Sequence, residues 1–331
     1  MGATNSSKKF RITNCNQAGE ARAKLLTKYK ISHGVIGRGA FGKVYKGSSL
    51  SNSKNKVAIK VFKNKQLFED DIKAIEAEIK VLSQLDHPNI VKYYESFADE
   101  GGMYIVTELI KGETLSQKIE KECTGFNDSD AAKIVHQLAS ALNHCHSKNI
   151  IHRDIKPDNV IIDDRLNVTL LDFGLSKNFS MKKALKSAAG TPTYMAPECM
   201  LRDYNEKVDV WSLGVLMYVL LTGKLPFTGN LPSKILKKAL KCNLGLRKFK
   251  NISAEAKNLL ESIITPNAKK RLSIKEVLAH EWFDILKDDT TDDSFDESEI
   301  SVLKTLTNFS NEAKFTKACM KLLTANIKIK C

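Results

Sequence analysis

No apolar run in this 331-residue chain exceeds nine residues (213–221), and a bilayer span takes about 20. No transmembrane helix is expected. The N-terminus lacks an apolar h-region, which argues against a secretory signal. Its seven cysteines, at positions 15, 123, 145, 199, 242, 319 and 331, are odd in number and never form a Cys-x-x-Cys pair. That excludes a disulfide scaffold or zinc finger and fits a reducing compartment. Residues 284–299 lack glycine and carry eight acids against Lys287 alone. An EF-hand loop needs its glycine turn and a glutamate at position twelve, so this stretch reads instead as an extended, self-repelling linker. The balance reverses at the N-terminus, where acids are scarce and Lys8, Lys9, Arg11, Arg22, Lys24 and Lys28 face Glu20 alone.

What is present is ordinary globular composition, 42% hydrophobic and 27% charged, with a net charge of +14. A chain disordered throughout is excluded. The positive excess suits phosphate-bearing partners: nucleotides, nucleic acid, anionic lipid or phosphoproteins. It equally suits a lysine-rich solvated surface, and charge alone does not choose.

Patterning divides the chain. Residues 1–28 show no apolar periodicity and read as a basic, flexible arm. Residues 29–104 are strand-like, with 57–62 and 103–106 as β-rich runs. One interruption, in which Ile72, Ile75, Ile79 and Leu82 recur at helical spacing, predicts a helix. From Thr114 to Phe283 helices dominate: Ile134, Leu138, Ala141 and Leu142 line one, and 213–221 forms a buried one. A small sheet-rich lobe (29–107) therefore precedes a larger helical lobe (114–283), joined through 108–113. The acidic linker (284–299) follows. Residues 300–331 are again basic and amphipathic, with Leu303, Leu306 and Phe309 ahead of a second stripe of Phe315, Ala318, Cys319, Leu322, Leu323 and Ile327 beside Lys314, Lys317 and Lys321.

Several short motifs carry chemistry. Gly37, Gly39 and Gly42 form Gly-x-Gly-x-x-Gly between Ile36 and Val44. Glycines allow a backbone to approach phosphates without Cβ clashes, although a plain hairpin reads the same way. The strand-like continuation after Val44 removes the strand–helix context of a dinucleotide site. Lys60 ends the apolar run Val57-Ala58-Ile59, where an unpaired ammonium would be costly. Glu78, on the predicted helix, is a candidate partner; two surface charges are the plainer alternative. His152-Arg153-Asp154-Ile155-Lys156-Pro157-Asp158-Asn159 is the most specific segment. Asp172-Phe173-Gly174 follows 18 residues after Asp154, and Ala196-Pro197-Glu198 comes later. His136, His144, Cys145 and His146 could suggest a metal, but His144 and His146 are two apart and point different ways on a helix.

These elements, in this order, resemble a eukaryotic serine/threonine protein kinase across residues 29–283. The resemblance implies an α+β, bilobal fold: a small antiparallel sheet with one helix, then a larger helical lobe. It implies ATP and Mg²⁺ as cofactors and protein substrates. Ile36, Gly37, Gly39, Gly42, Val44 and Ala58 would enclose the nucleotide, and Glu108 and Ile110 would supply hinge backbone groups. Thr107 would stand at the back of the adenine pocket. Lys60 would hold phosphates and Glu78 would hold Lys60. Asp172 and Asn159 would ligate Mg²⁺. Asp154 would orient the acceptor hydroxyl and take its proton, with Lys156 and Thr191 beside it. Glu198 and Arg271 would form a buried ion pair, and Asp209 would brace the catalytic-loop backbone. Arg153 implies a phosphate-responsive activation segment, with Ser187 as the acceptor. None of the expected catalytic groups is missing, which speaks against the alternative of a kinase-fold scaffold acting by binding alone.

Within that family, 209–227 and 270–283 are similar to the calcium/calmodulin-dependent group. Residues 300–331 resemble the junction segment of plant and protist calcium-dependent protein kinases, here without the EF-hand domain that follows in them. Either the sequence is a truncated product or the tail depends on a separate calmodulin-like protein, for which a basic amphipathic helix is a suitable ligand; a helix that packs on the large lobe is the plainer alternative. Gly112-Glu113-Thr114-Leu115 departs from the Gly-Gly-Glu-Leu common among basic-directed members, although Asp158 could supply a charge. Met1-Gly2-Ala3-Thr4-Asn5-Ser6 matches the N-myristoylation pattern, with Lys8, Lys9 and Arg11 as an electrostatic second anchor and Cys15 as a site for palmitate. A cytoplasmic protein with a peripheral membrane fraction is expected. No nucleic-acid motif is found.

Overall fold

The computed structural model describes residues 12–14, 19–38, 42–63, 68–99, 101–122, 124–178, 191–200 and 204–288. The chain divides into two compact units, Met1–Asp284 and Ile285–Cys331. Gly2, Cys15, Gly39, Ser187, residues 289–299 of the expected linker and all of the expected junction segment lie outside the described residues.

The first part of the larger unit is built on β1 (Ile12–Asn14), α1 (Glu20–Lys28), β2 (Tyr29–Arg38), β3 (Lys43–Ser49), β4 (Lys56–Lys63), α2 (Glu69–Leu82), β5 (Tyr93–Asp99) and β6 (Gly102–Glu108). They make a six-stranded sheet in the order β1-β5-β6-β4-β3-β2. Its last five strands pair antiparallel, and β1 adds parallel to β5. The pleat of β4 decides what each residue does. Val57 and Ile59 are buried on one face with Tyr104, Val106, Phe97 and Tyr29. Ala58 and Lys60, in the opposite register, turn to the other face.

The N-terminal arm expected over 1–28 is corrected here. Its last nine residues form α1, and Ala21 and Leu25, both fully buried, complete the core on the first face of the sheet. The Ala21 N–H donates to Asp99 Oδ2 at 2.7 Å, while the N–H groups of Gly101 and Gly102 donate to Asp99 Oδ1 at 2.7 and 2.9 Å. A four-residue spacing of two small or apolar positions in a basic segment is too brief a period to recognise by eye, and tertiary burial supplies the stability that the segment alone lacks. Among the described residues the lobe thus holds two helices, α1 and α2, rather than one.

The second part contains β7 (Glu113–Thr114), α3 (Leu115–Glu122), α4 (Asp128–Ser147), β8 (Ile150–Ile151), β9 (Val160–Ile162), β10 (Val168–Leu170), β11 (Lys177–Asn178), α5 (Pro197–Met200), α6 (Lys207–Thr222), α7 (Pro232–Lys241), α8 (Ala254–Ile263) and α9 (Ile274–Leu278). α4 buries Ile134, Leu138, Ala141 and Leu142, and starts at an Asn127 side chain that accepts from the Asp130 N–H at 2.8 Å. α6 is buried on all sides from Val208 to Thr222, which is why its sequence shows a run instead of a stripe. A Cβ at Gly214 would meet Ile263 and Ile264 side chains at 2.8 Å, so glycine there sets how closely α6 and α8 pack. No described helix is long and apolar enough to cross a membrane. In the second unit, α10 (Ile285–Asp288) is the described element.

Candidate active site

A cavity of about 370 Å³ lies between the sheet and the helical part of the larger unit. Ile36, Gly37, Val44, Ala58, Thr107, Glu108 and Ile110 line it together with Lys60, Glu78, Asn159 and Asp172. Gly42 does not line it. A Cβ there would sit 2.6 Å from the Val61 carbonyl oxygen, so this glycine permits the close pairing of β3 and β4. The Glu108 carboxylate turns away to accept the Lys92 N–H at 2.7 Å, leaving the backbone of the hinge at the cavity wall.

α2 places one charged residue on its buried stripe. Ile75, Glu78, Ile79 and Leu82 share a face, and Glu78 is only 6% exposed. Its carboxylate meets Lys60 Nζ at 2.7 Å, and Asp172 Oδ1 lies 3.5 Å from the same nitrogen. Burial alone would depress the lysine, but the Glu78 and Asp172 charges more than offset it and hold the ammonium above its ordinary value. Burial also presses the Asp172 carboxyl upward; the Lys60 charge and the Gly174 N–H outweigh it, and the group stays below its ordinary value, ionised. Two fixed features aim Asp172. Its backbone adopts φ +45°, and the following Phe173 is fully buried with its ring 4.7 Å from that of His152.

A second cluster adjoins the first through Asn159. The Asn159 amide donates to the Asp154 carbonyl and to Asp154 Oδ2, both at 2.8 Å. Lys156 Nζ sits 2.8 Å from Asp154 Oδ2 and donates to Thr191 Oγ1 at 3.0 Å. The Thr191 hydroxyl and N–H both reach Asp154 Oδ1 at 3.3 Å. Asp154 is thereby held on both oxygens by groups from separate segments.

The loop bearing Asp154 is clamped from beneath. Asp209, in the first turn of α6 and wholly buried, accepts the His152 N–H at 2.9 Å and the Arg153 N–H at 2.8 Å. It also meets His146 Nε2 at 2.9 Å. Burial would raise this carboxyl, but the His146 bond and the neighbouring histidines and N–H groups keep it below its ordinary value. Arg153 has φ +69°, a left-handed conformation uncommon for a residue other than glycine. Its guanidinium donates to the Leu175 carbonyl and, at 2.9 Å, to the Tyr204 hydroxyl. Farther away, Arg271 (1% exposed) meets both oxygens of Glu198 and the carbonyls of Lys207 and Thr265.

The residues suit a magnesium nucleotide. Asp172 and Asn159 offer the hard oxygen donors Mg²⁺ prefers, Lys60 offers a cation, and an apolar slot of Leu82, Val91, Ile105, Ile161 and Leu171 could hold a flat base. The sequence did not place those five in the site; Leu82 stood out only as part of the helical stripe. Ile105 could have been found, since β-strand alternation puts it on the face of Thr107. Among the described residues no histidine–cysteine–carboxylate group could hold a metal; His144 instead lies against His87, with ring centroids 5.4 Å apart.

A match to the protein kinase domain runs over residues 31–283. The chain belongs to the protein kinase family. It is 38% identical over 260 residues to calcium-dependent protein kinase 5 of Plasmodium falciparum, covering 77% of this chain and 45% of that protein. It is 36% identical over 301 residues to calcium-dependent protein kinase 3 of Plasmodium berghei, covering 89% and 53%. A probable serine/threonine-protein kinase of Dictyostelium discoideum, MARK-A, is 36% identical over 256 residues, covering 76% and 24%. The chain thus spans about half the length of these calcium-dependent kinases.

Proposed function

We propose that the chain is an active serine/threonine protein kinase that moves the terminal phosphate of ATP to a protein hydroxyl. The observation that carries this is the convergence of Lys60, Glu78, Asp172 and Asn159 on one cavity wall, with Asp154, Lys156 and Thr191 hydrogen-bonded immediately beside Asn159. Phosphoryl transfer asks mainly for alignment and neutralised charge. Lys60, held by Glu78, binds phosphate oxygens. Asp172 and Asn159 would hold Mg²⁺, which would supply further neutralisation of phosphate charge. Asp154 aligns the acceptor hydroxyl and receives its proton as the new P–O bond forms. Lys156 balances charge on the transferred group, and Thr191 keeps Lys156 and Asp154 in register. Transfer from ATP to a basic serine peptide tests the reading, with Asp154→Asn as control. Turnover should fall by at least about 10³ in the variant; equal rates in both would defeat it.

Calcium-linked control rests on the basic amphipathic pattern of 300–331 and on the names of the Plasmodium relatives. A calmodulin-like protein would bind that tail and relieve inhibition. The full chain and residues 1–285 should then differ in activity, and only the full chain should respond to calcium and calmodulin. Equal rates in all four conditions would exclude it. A phosphate on Ser187 would raise activity through Arg153, so Ser187→Ala should blunt activation by an upstream kinase; an undiminished response would exclude that route. The N-terminal pattern supports a cytoplasmic protein partly anchored at membranes through myristoylated Gly2 and its basic neighbours. Gly2→Ala should move it to the soluble fraction; an unchanged distribution would exclude the anchor.

A further inference from the structure

Residues 231–250 contain seven basic side chains and no acid. α7 supplies four of them. Its buried positions, Ile235 and Ala239, hold it to the protein. At 100° per residue, Lys234, Lys237 and Lys241 fall together on the face directed away from those two, with Leu240, which is 50% exposed. The charges continue past the helix in exposed Arg247, Lys248 and Lys250. Among the described residues none of these six is joined to a carboxylate. Several helical lysines elsewhere do pair, Lys24 with Glu20, Lys73 with Glu69, Lys118 with Glu122 and Lys121 with Glu113; what sets this stretch apart is six such cations together. Lys238 differs, because its ammonium donates to the Thr228 carbonyl at 2.6 Å.

Immediately after α7, residues 242–248 form one wall of a groove of about 650 Å³. Leu244, Leu246, Ile264 and Pro266 give it apolar surface, Arg247 and Lys248 give it positive charge, and Glu261 is the acid on its wall. α5, which begins six residues beyond Thr191, packs beside α7. The patch therefore neighbours the segment that leaves the catalytic cluster.

We propose that the outer face of α7 and this groove form a docking surface for an acidic segment of a protein substrate, remote from the hydroxyl that is phosphorylated. The occupant is acidic because six clustered cations, none joined to a carboxylate among the described residues, gain most from carboxylates. It carries apolar residues because Leu240 and the groove offer matching surface. A membrane fits less well: Ile235 and Ala239 are committed to the protein interior, so α7 has no apolar stripe to bury in lipid. The role in substrate selection rests on the phosphotransfer proposed above.

The test separates docking from chemistry. A fluorescein-labelled 14-residue peptide of glutamates with two leucines and no hydroxyl residue is titrated with the full chain at 50 mM salt. Lys234→Glu/Lys237→Glu/Lys241→Glu should weaken binding at least about tenfold, since three attractive contacts become repulsive. Salt at 500 mM should weaken it similarly. Lys30→Glu/Lys46→Glu/Lys56→Glu, the same charge change on the sheet, should bind within about twofold of the parent. Equal losses in the two triple variants, or no binding by the parent, would overturn the proposal. So would patch-dependent capture by phosphatidylserine vesicles with no peptide binding. In the second arm, that acidic sequence is appended through a flexible linker to a serine peptide. It should raise kcat/KM about tenfold in the parent and leave the patch variant unaffected; an equal gain in both overturns the proposal. Absence of all phosphotransfer would count against the kinase reading, while the binding arm still decides the docking surface.

Discussion

Replacing Asp209 by asparagine changes one atom at the base of the catalytic loop, and the structure sets the size of the effect. Asp209 is wholly buried and accepts two backbone N–H groups at 2.8 and 2.9 Å. An asparagine can present only one carbonyl oxygen, so its amide nitrogen must face one of those donors. Losing one charge-assisted bond and stranding a buried N–H costs about 2–4 kcal/mol. The Arg153 backbone at φ +69° is held by the same bonds, and such a conformation stores on the order of 1–3 kcal/mol that is released if the loop relaxes. Relaxation would displace Asp154, and a misplacement near 1 Å costs about 10² in rate. Urea unfolding should therefore show the 2–4 kcal/mol deficit, and peptide phosphorylation should fall about 10²-fold. The pH dependence follows from sign. The folded carboxyl lies below its ordinary value of 3.8, so its contribution is present above 3.8 and is lost as pH falls through the folded value. The deficit of the variant should be constant near neutrality and shrink below about pH 4. A variant within about 0.5 kcal/mol of the parent, with kcat within twofold, would refute the brace.

Four further outcomes follow. Glu198→Gln should lower stability by about 3 kcal/mol in urea unfolding, because it leaves Arg271 charged and buried; a gain in stability would contradict that. Thr191→Ala should cut kcat about five- to tenfold with KM for ATP unchanged, as expected for about 1 kcal/mol of hydrogen bonding to Asp154 and Lys156; an unchanged kcat would count against its positioning role. Leu25→Ala should cost about 2–5 kcal/mol, whereas a freely moving arm predicts no change. Lys60→Met should abolish detectable transfer while the protein stays folded by circular dichroism; residual activity above a few per cent would mean another cation serves the phosphates.

Much of the site was legible because its residues sit in short, contiguous segments. His152 to Asn159 and Asp172 to Gly174 carry their own spacing, and the pairing of Lys60 with Glu78 could be suspected from a charge at the end of an apolar strand. The joining of distant segments was less so. That Lys60 and Glu78 meet at 2.7 Å depends on Glu78 falling on the stripe of Ile75, Ile79 and Leu82, which periodicity does suggest. That Tyr204 and the Leu175 carbonyl engage Arg153 depends on how loops return, and no periodicity encodes it. α1 escaped notice for a different reason. Two buried side chains, Ala21 and Leu25, anchor a nine-residue, largely polar helix, and much of the surface that makes them core, Phe97, Tyr104 and Val106, comes about 70 to 85 residues later in sequence.

The parallel pairing of β1 with β5, residues 12–14 against 96–98, has a consequence for handling the protein. An uncovered sheet margin offers ready hydrogen-bonding groups to any other extended chain. Trimming the first eighteen residues would strip that cover from β5, and the expected result is self-association, visible as early-eluting material in size-exclusion chromatography before any loss of catalytic competence.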